Sequence, residues 1–516
     1  MNEKCKNVLL IAPRHTDAME YGVGNSLSMG ALLVGSILKE KGCSVSLLDA
    51  SLDKNFENNL NKALLDKEYL FIGFSVMTTQ FSDAIIIARE VRAKALKTPI
   101  VFGGFHATIA PDEVLSSDCV DYIFIGQSHS NIATFVDSLL NKCPISSVDG
   151  IGYKLGGELV YTKKYFPACQ DGFVKIDYSI IESNSLEKSI QTGDPLGTGR
   201  RFLSVLTGVG CKFKCAFCWN SIYKNYILKM APDDIVHYCL LLQKKYDVNL
   251  FWLYDEHFFS SAEYVSKFIA EISKNNLKAS FIVSARSSDI NMLMRHNLLG
   301  ECKKSGIDYL SIGAESGSQR VLNHINKGIT CDQTLKIARE TELAGIACFF
   351  SFMLCMPTET SKDTIATLQL IQKITNISKR HQIIGPQVFR PYPGSKMSDL
   401  ASKISNTTNI YSFRKIDINS VRWIEKEELK KIEKQYITYN VQSQQAYFEG
   451  LLSILVWSKK GIALQSAVGQ WLTHRLLAAF LWALRCSAAL RIKYNFFIIY
   501  PEYSVAKFLC DKYFRQ

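Results

Sequence analysis

The chain has 516 residues, more than the roughly 250 to 300 that one hydrophobic core organises, so two or three domains are expected. Apolar residues at 47% and charged residues at 21% lie near the globular average, which excludes wholesale disorder and collagen-like repeats. The net charge of +12 is local: from Ala401 onward 17 basic residues face 8 acidic ones. The main body therefore carries no groove for nucleic acid, and an anionic partner belongs near the C-terminal region.

Fifteen cysteines, an odd number at irregular spacing, do not form a secreted disulfide framework and point to a reducing cytoplasm. The first apolar stretch, Val8 to Ile11, is too short for a signal peptide and reads as a strand. From there the chain alternates. Asn7 to Pro13, Ser44 to Ala50, Leu70 to Val76, Pro99 to Phe105 and Tyr122 to Gln127 are short apolar runs, each followed by a stretch of helical length. Strands buried on both faces read as continuous apolar runs, so a parallel, doubly wound sheet is expected over residues 1–145. Ligands of such sheets sit beyond the strand carboxyl ends, near Thr78, Thr79, Gly103, Gly104 and Gly126.

Residues 149–163 read as a hairpin turning at Gly156-Gly157, and about 164–200 as a polar connector, giving a 146–200 linking region. A second alternating series fills 201–400. Its apolar runs are Phe202 to Val209, Leu250 to Tyr254, Ser280 to Ala285, Tyr309 to Ile312, Ala347 to Met356 and Ile383 to Phe389. Six strand-helix units suit a partial (β/α)6 barrel of TIM type, with its chemistry at the strand C-termini. Residues 401–516 turn helical and aromatic. Arg475, Arg485 and Arg491 interrupt the apolar stretch there before it reaches the roughly 20 residues of a membrane span. A helical cap on the barrel is expected, with at most peripheral membrane contact.

The densest chemical signal is Cys211-Lys-Phe-Lys-Cys215-Ala-Phe-Cys218, which follows the first strand of the second series and precedes Trp219. Three thiols this close converge on a metal or cluster. Structural zinc wants a fourth ligand, and the nearest, His237 and Cys239, fall mid-helix by pattern. Three cysteines alone leave one iron of a four-iron cluster open for another ligand.

This spacing after the first strand of a partial barrel resembles the radical S-adenosylmethionine superfamily. The resemblance implies a [4Fe-4S] cluster on Cys211, Cys215 and Cys218 whose open iron chelates S-adenosylmethionine (SAM). Reductive cleavage then gives methionine and a 5′-deoxyadenosyl radical, and Phe217 matches the aromatic position packed on adenine. Tyr254-Asp255-Glu256-His257-Phe258, Arg286, Ser311-Ile-Gly-Ala-Glu315-Ser-Gly317 with Asn326-Lys327-Gly328, and Arg390-Pro391-Tyr392-Pro393-Gly394-Ser395 match further motifs of the branch with an N-terminal cobalamin-binding domain. Asp255 and Glu256 are the candidate acceptors for the SAM ammonium, and Glu315 and Arg286 lie near that cofactor by resemblance.

The first domain resembles the Rossmann-like cobalamin-binding module through Gly73-Phe-Ser75 with Thr78-Thr79, Val101-Phe-Gly103-Gly104-Phe-His106, and Val120-Asp121-Tyr122-Ile-Phe-Ile-Gly126. Glycines there let backbone approach a macrocycle; they also serve the tight turns of any doubly wound sheet. Three departures stand out. The Asp-x-His-x-x-Gly motif for a histidine below the cobalt is absent, His15 lacking the spacing. Gly126-Gln127-Ser128-His129 stands where the family has Gly-Glu-Gly-Glu, and Cys355 where a Gly is usual.

The resemblance implies an enzyme that uses the deoxyadenosyl radical with cobalamin, most simply a methyltransferase, although cyclisation, ring contraction or oxidation fits the same motifs. A second reading keeps the radical chemistry and makes the N-terminal domain a substrate-positioning scaffold without cobalamin. Methylthiolation of tRNA would want an additional N-terminal cysteine cluster, whereas Cys5, Cys43, Cys119 and Cys143 are scattered. A non-enzymatic cobalamin or metal-binding protein would not need the ordered barrel motifs. Expected partners are a small-molecule or lipid substrate and an electron donor such as flavodoxin or ferredoxin.

Overall fold

The computed structural model describes residues 6–14, 26–127, 131–163, 173–221, 227–354, 356–389 and 394–405. The expected C-terminal helical region lies, beyond its first residues, outside them. The N-terminal strands are β1 (Asn7–Ala12), β2 (Ser44–Asp49), β3 (Phe71–Ser75), β4 (Ile100–Gly103) and β5 (Tyr122–Phe124). They pair in parallel, and the hairpin β6 (Ile151–Leu155) and β7 (Glu158–Tyr161) continues the sheet antiparallel from β5.

Why the sheet is doubly wound is visible within single strands. Val8 and Leu10 enter one buried core with the helix Met29–Glu40, while Leu9 and Ile11 enter a second core with the helix Phe81–Lys94. Successive side chains of a strand point to opposite faces, so an unbroken apolar run requires a cover on both. The order β2-β1-β3-β4-β5-β6-β7 reverses direction between β1 and β3, and a crevice for ligands forms beyond the carboxyl ends at such a point.

The stretch read as a polar connector is in part a joint. Ile176, Tyr178, Ile180, Ile181, Leu186 and Ile190 are buried and belong to the same core that runs on into the second sheet. Tyr178 Oη donates to the Ser204 carbonyl, Tyr238 Oη to that of Ile176, and Lys188 Nζ reaches the Leu52 carbonyl at 2.9 Å. The apolar residues were too widely spaced among Asp, Ser and Glu to register as one element.

The second sheet contains β8 (Phe202–Leu206), β11 (Leu250–Tyr254), β12 (Ser280–Ala285), β13 (Ile307–Glu315), β14 (Ala347–Leu354) and β15 (Gln382–Val388). All pair in parallel, in sequential order, with β8 and β15 at the two edges. The barrel is thus open, as the six apolar runs imply. The run Phe202 to Val209 divides at Thr207: β9 (Gly208–Val209) leaves the barrel to pair antiparallel with β10 (Leu228–Lys229). That departure starts the loop that carries the three thiols. Among the described residues no helix is long and apolar enough to cross a membrane.

Candidate functional site

The thiol loop is fastened from several sides by backbone and side-chain bonds. Gly210, at φ 91°, donates its N–H to Glu256 Oε2 at 3.1 Å, the Ala216 N–H bonds the Ile325 carbonyl at 2.8 Å, and Asn326 Nδ2 bonds the Lys214 carbonyl at 3.0 Å. Cys215 is buried, and the Cys218 N–H returns to its carbonyl at 3.1 Å. The three sulfurs lie within one another's electrostatic reach, and the Asn220 N–H donates to Cys218. Burial raises the Cys211 thiol and pushes Cys218 up to about 11. A sulfur-bonding metal is what would keep such thiols deprotonated. Among the described residues no three His, Cys, Asp or Glu side chains are grouped to hold a single metal ion. His237 and Cys239 lie in the helix Pro232–Tyr246, where His237 caps back onto the Asp233 carbonyl and Cys239 is fully buried.

Positive charge is set against the thiols. Arg286, which follows β12 and precedes the helix Ser287–Arg295, donates Nη1 to Cys215 Sγ at 3.3 Å and Nη2 to the Lys327 carbonyl. Its guanidinium carbon sits 3.6 Å from the Phe213 ring centre. Lys327 Nζ bonds Glu315 Oε1 at 2.6 Å, with both side chains buried, and lies 5.7 Å from the Phe217 ring centre. Glu315 adopts φ 63° and so turns off the end of β13 toward this lysine. Gly313 makes the room: a Cβ there would stand 2.3 Å from Glu315 Oε1 and 2.7 Å from Lys327 Nζ.

Asp255 and Glu256, adjacent in sequence, have separate surroundings. Asp255 is buried, accepts the His257 N–H at 2.7 Å and pairs with Lys229 Nζ at 3.0 Å. A Cβ on Gly208 would strike its carboxylate at 2.4 Å. Asp255 is therefore engaged inside the protein, whereas Glu256 stays open at the strand-end face. The protein around Glu256 raises its carboxyl by desolvation, although its own surface is accessible. His257 in turn bonds Asp289 through Nε2 at 3.1 Å, and Asp289 accepts the Arg286 N–H at 2.8 Å. Lys229, Asp255, His257, Asp289 and Arg286 thus form one connected set ending on Cys215. Sequence reasoning singled out neither Lys229 nor Asp289. Asp289 had a local signal, a carboxylate three residues after the helix-capping position; Lys229, in a two-residue strand far from Asp255 in sequence, had none.

At the N-terminal sheet Ser75, Thr78 and Thr79 are half-buried beyond β3. Gly103 ends β4, and Gly104, at φ 90°, has the Val76 nitrogen 2.8 Å from where a Cβ would stand. Gly126, at φ 91°, donates its N–H to Thr108 Oγ1 at 3.0 Å, and beside it Gln127 Oε1 is buried without a hydrogen-bond partner among the described residues. The edge also touches the thiol loop. Phe105, directly after Gly104, meets Trp219, directly after Cys218, edge to face at 5.1 Å. His15, Ser128, His129, Cys355 and Arg390 to Pro393 lie outside the described residues.

Residues 205–371 match the Radical SAM superfamily and residues 23–136 the B12 binding domain, together more than half of the chain. The chain is a cobalamin-binding-domain-containing radical SAM protein. It is 23% identical over 446 residues to an uncharacterized methyltransferase of Pyrococcus horikoshii, covering 84% of this chain and 93% of that one. It is 25% identical over 419 residues to the anaerobic magnesium-protoporphyrin IX monomethyl ester cyclase of Rubrivivax gelatinosus, covering 79% and 72%. The cobalamin-dependent SAM radical enzyme OxsB shares its fold at a TM-score of 0.68 and 16% identity, over 98% of this chain and 75% of that one. The radical SAM methyltransferase TsrM of Kitasatospora setae does so at 0.63 and 15%, over 78% of both.

The donor chemistry suits the cofactors of a radical SAM protein. Three sulfurs opposed by Arg286 and Lys327 match an anionic iron–sulfur group better than a hard cation, which would want oxygens. The open Glu256 is an acceptor for an ammonium. At the other edge, the unpartnered Gln127 oxygen and the half-buried hydroxyls suit a ligand rich in amide groups, as cobalamin is. Gly104 is explained without a ligand, because the Val76 backbone already excludes a side chain there.

Proposed function

We propose that this chain is a cobalamin-using radical SAM enzyme that methylates or otherwise transforms an unactivated carbon of a small-molecule, lipid or natural-product substrate. In this reading Cys211, Cys215 and Cys218 hold a [4Fe-4S] cluster. When bound, the cluster and cobalamin supply the single electron that cleaves SAM and the methyl-transfer chemistry. The chain's own residues hold, orient and exclude. Glu256 accepts from the SAM ammonium, Phe217 packs on its adenine, and Arg286 and Lys327 offset the negative charge of the thiolates. Glu315 keeps Lys327 in place, and Asp255 anchors the strand end through Lys229 and the His257 N–H. Ser75, Thr78, Thr79, Gly103, Gly104 and Gly126 form the cobalamin edge, without a histidine below the cobalt.

The observation that carries this reading is the contact between Phe105 and Trp219. It puts the carboxyl-end edge of the B12 binding domain against the turn that begins at Cys218, so in this reading the two cofactors are held on adjoining edges. The relatives named as methyltransferase and as ester cyclase leave two reaction types, and the products separate them. Full-length protein reconstituted without oxygen should bind iron, sulfide and cobalamin, and form both 5′-deoxyadenosine and S-adenosylhomocysteine if it methylates. Deoxyadenosine alone would favour oxidation or cyclisation. Failure to retain cobalamin would leave a radical enzyme with a scaffold domain, and product formation by a C211A/C215A/C218A variant would end the proposal. The domains are taken as 1–145, 146–200, 201–400 and 401–516, in the cytoplasm, with a flavodoxin or ferredoxin as reductant.

A further inference from the structure

The Arg286 side chain is only partly satisfied where it stands. Its guanidinium donates Nη1 to Cys215 Sγ at 3.3 Å and Nη2 to the Lys327 carbonyl, while Nε is buried with no hydrogen-bond partner among the described residues. A buried N–H without an acceptor is costly, and a long side chain gives up much rotamer freedom in one fixed pose. The two bonds of the guanidinium therefore do not by themselves explain why it stays at the sulfur.

The structure closes a ring of contacts around it. The guanidinium carbon lies 3.6 Å from the Phe213 ring centre, and Phe213 meets the His257 ring edge to face at 5.3 Å. His257 Nε2 bonds Asp289 Oδ1 at 3.1 Å, and Asp289 Oδ2 accepts the Arg286 N–H at 2.8 Å, which brings the ring back to its start. Asp289 Oδ1 also accepts the Ser288 hydroxyl at 3.2 Å, so Asp289 is an acceptor throughout and Nε2 of His257 carries the hydrogen. His257 and Asp289 are both buried. The His257 backbone is fixed on both sides, its N–H on Asp255 Oδ1 at 2.7 Å and its carbonyl on Lys229 Nζ. One buried imidazole thus braces Arg286 at both ends, the backbone through Asp289 and the guanidinium through Phe213.

We propose that His257 and Asp289 are positioning residues that hold Arg286 on Cys215 Sγ and thereby raise the reduction potential of the group bound there. The inference rests on the reading of Cys211, Cys215 and Cys218 as cluster ligands, which by itself gives neither residue this role. A cation and an N–H donor at a ligand sulfur favour the more negative, reduced state of an iron–sulfur group. On reduction the group gains one electron from an external donor, and no bond within His257, Asp289 or Arg286 forms or breaks. Both residues act through Arg286, so their effect on the potential depends on the guanidinium being present.

The test is an EPR-monitored redox titration of the reconstituted full chain, without SAM or cobalamin, with dithionite as the electron source and iron content measured for every variant. H257L should lower the equilibrium constant for one-electron reduction about tenfold, a fall of about 59 mV. H257Q, whose side-chain amide donates to Asp289 as the imidazole does, should recover most of that loss. In an R286M background, where no guanidinium remains to be positioned, H257L should add no further shift. A parental potential in iron-replete H257L, or the full H257L shift surviving in R286M, would overturn the proposal. Iron content separates the failures: a parent chain that binds no iron refutes the cluster reading itself, whereas an iron-replete parent with an unshifted H257L refutes only the positioning role. Should H257L lose iron, D289A, which opens the ring at its other buried member, decides by the same shift. Should R286M lose iron, the recovery of the potential in H257Q, or its absence, decides.

Discussion

At the end of β13 a glutamate and a lysine are buried against each other, 2.6 Å apart, while at the end of β4 the polar work is done by hydroxyls and backbone: His106 N–H to the Val76 carbonyl at 3.0 Å, Thr108 Oγ1 to the Gly104 carbonyl at 2.8 Å. The glycines differ accordingly. Gly208 and Gly313 in the barrel leave space for charged side chains, Asp255 in one case and Glu315 with Lys327 in the other, whereas Gly104 leaves space for the Val76 backbone. Both sheets end in glycine-bearing edges, but the barrel edge is organised by buried charge and the N-terminal edge by chain packing. The barrel edge therefore has its polar groups oriented before any cofactor arrives. Among the described residues each edge keeps a buried polar atom unmatched, Gln127 Oε1 at the N-terminal edge and Arg286 Nε at the barrel edge.

The largest effect should come from breaking the barrel's ion pair. Removing one partner of a buried pair strands the other charge, at a typical cost of about 3–5 kcal/mol. K327M should lower the unfolding free energy by about that amount in denaturant titration, and E315Q/K327M should recover much of it. Equal stability of K327M and the parent chain would mean that the pair does not organise this edge.

The N-terminal edge should respond to acid. Burial pushes the His106 imidazole down from 6.5 to about 4, with Glu113 3.7 Å away. Below pH 6.5 the unfolded chain binds a proton that the folded chain refuses, so His106 favours the fold above pH 6.5 and this contribution is lost as pH falls toward 4. At about 1.4 kcal/mol per unit, the loss is of order 2–3 kcal/mol. H106N should flatten the stability of the N-terminal domain over that range. An unaltered acid limb would show that His106 is protonated without cost, with Glu113 as its counter-ion.

The smallest effect lies where the edges meet. Aromatic pairs contribute about 0.5–1.5 kcal/mol beyond their burial, so a double-mutant cycle of F105L and W219L should return a coupling of that size. A value near zero would mean that the two edges fold independently, which would weaken the case for adjoining cofactor edges.

Much of this was legible in the sequence. The apolar runs placed all five parallel strands of the first sheet and all six of the barrel, because a strand covered on both faces must be apolar throughout. The thiol triplet was legible as a local spacing, and so was the carboxylate pair at the end of β11. What escaped notice was the difference between those two carboxylates. Asp255 and Glu256 are equivalent as letters; the pleat turns one inward to Lys229 and leaves the other open.

Local chemistry along the chain determined the two parallel sheets, the order of the motifs and the place of the thiols after the first barrel strand, since each follows from periodicity or from spacing within a few residues. Only the tertiary structure decided that Lys327 faces Glu315, that Arg286 reaches Cys215 and that Phe105 meets Trp219. These relations join residues far apart in sequence, and the strand order and loop closure that bring them together leave no mark on any one segment.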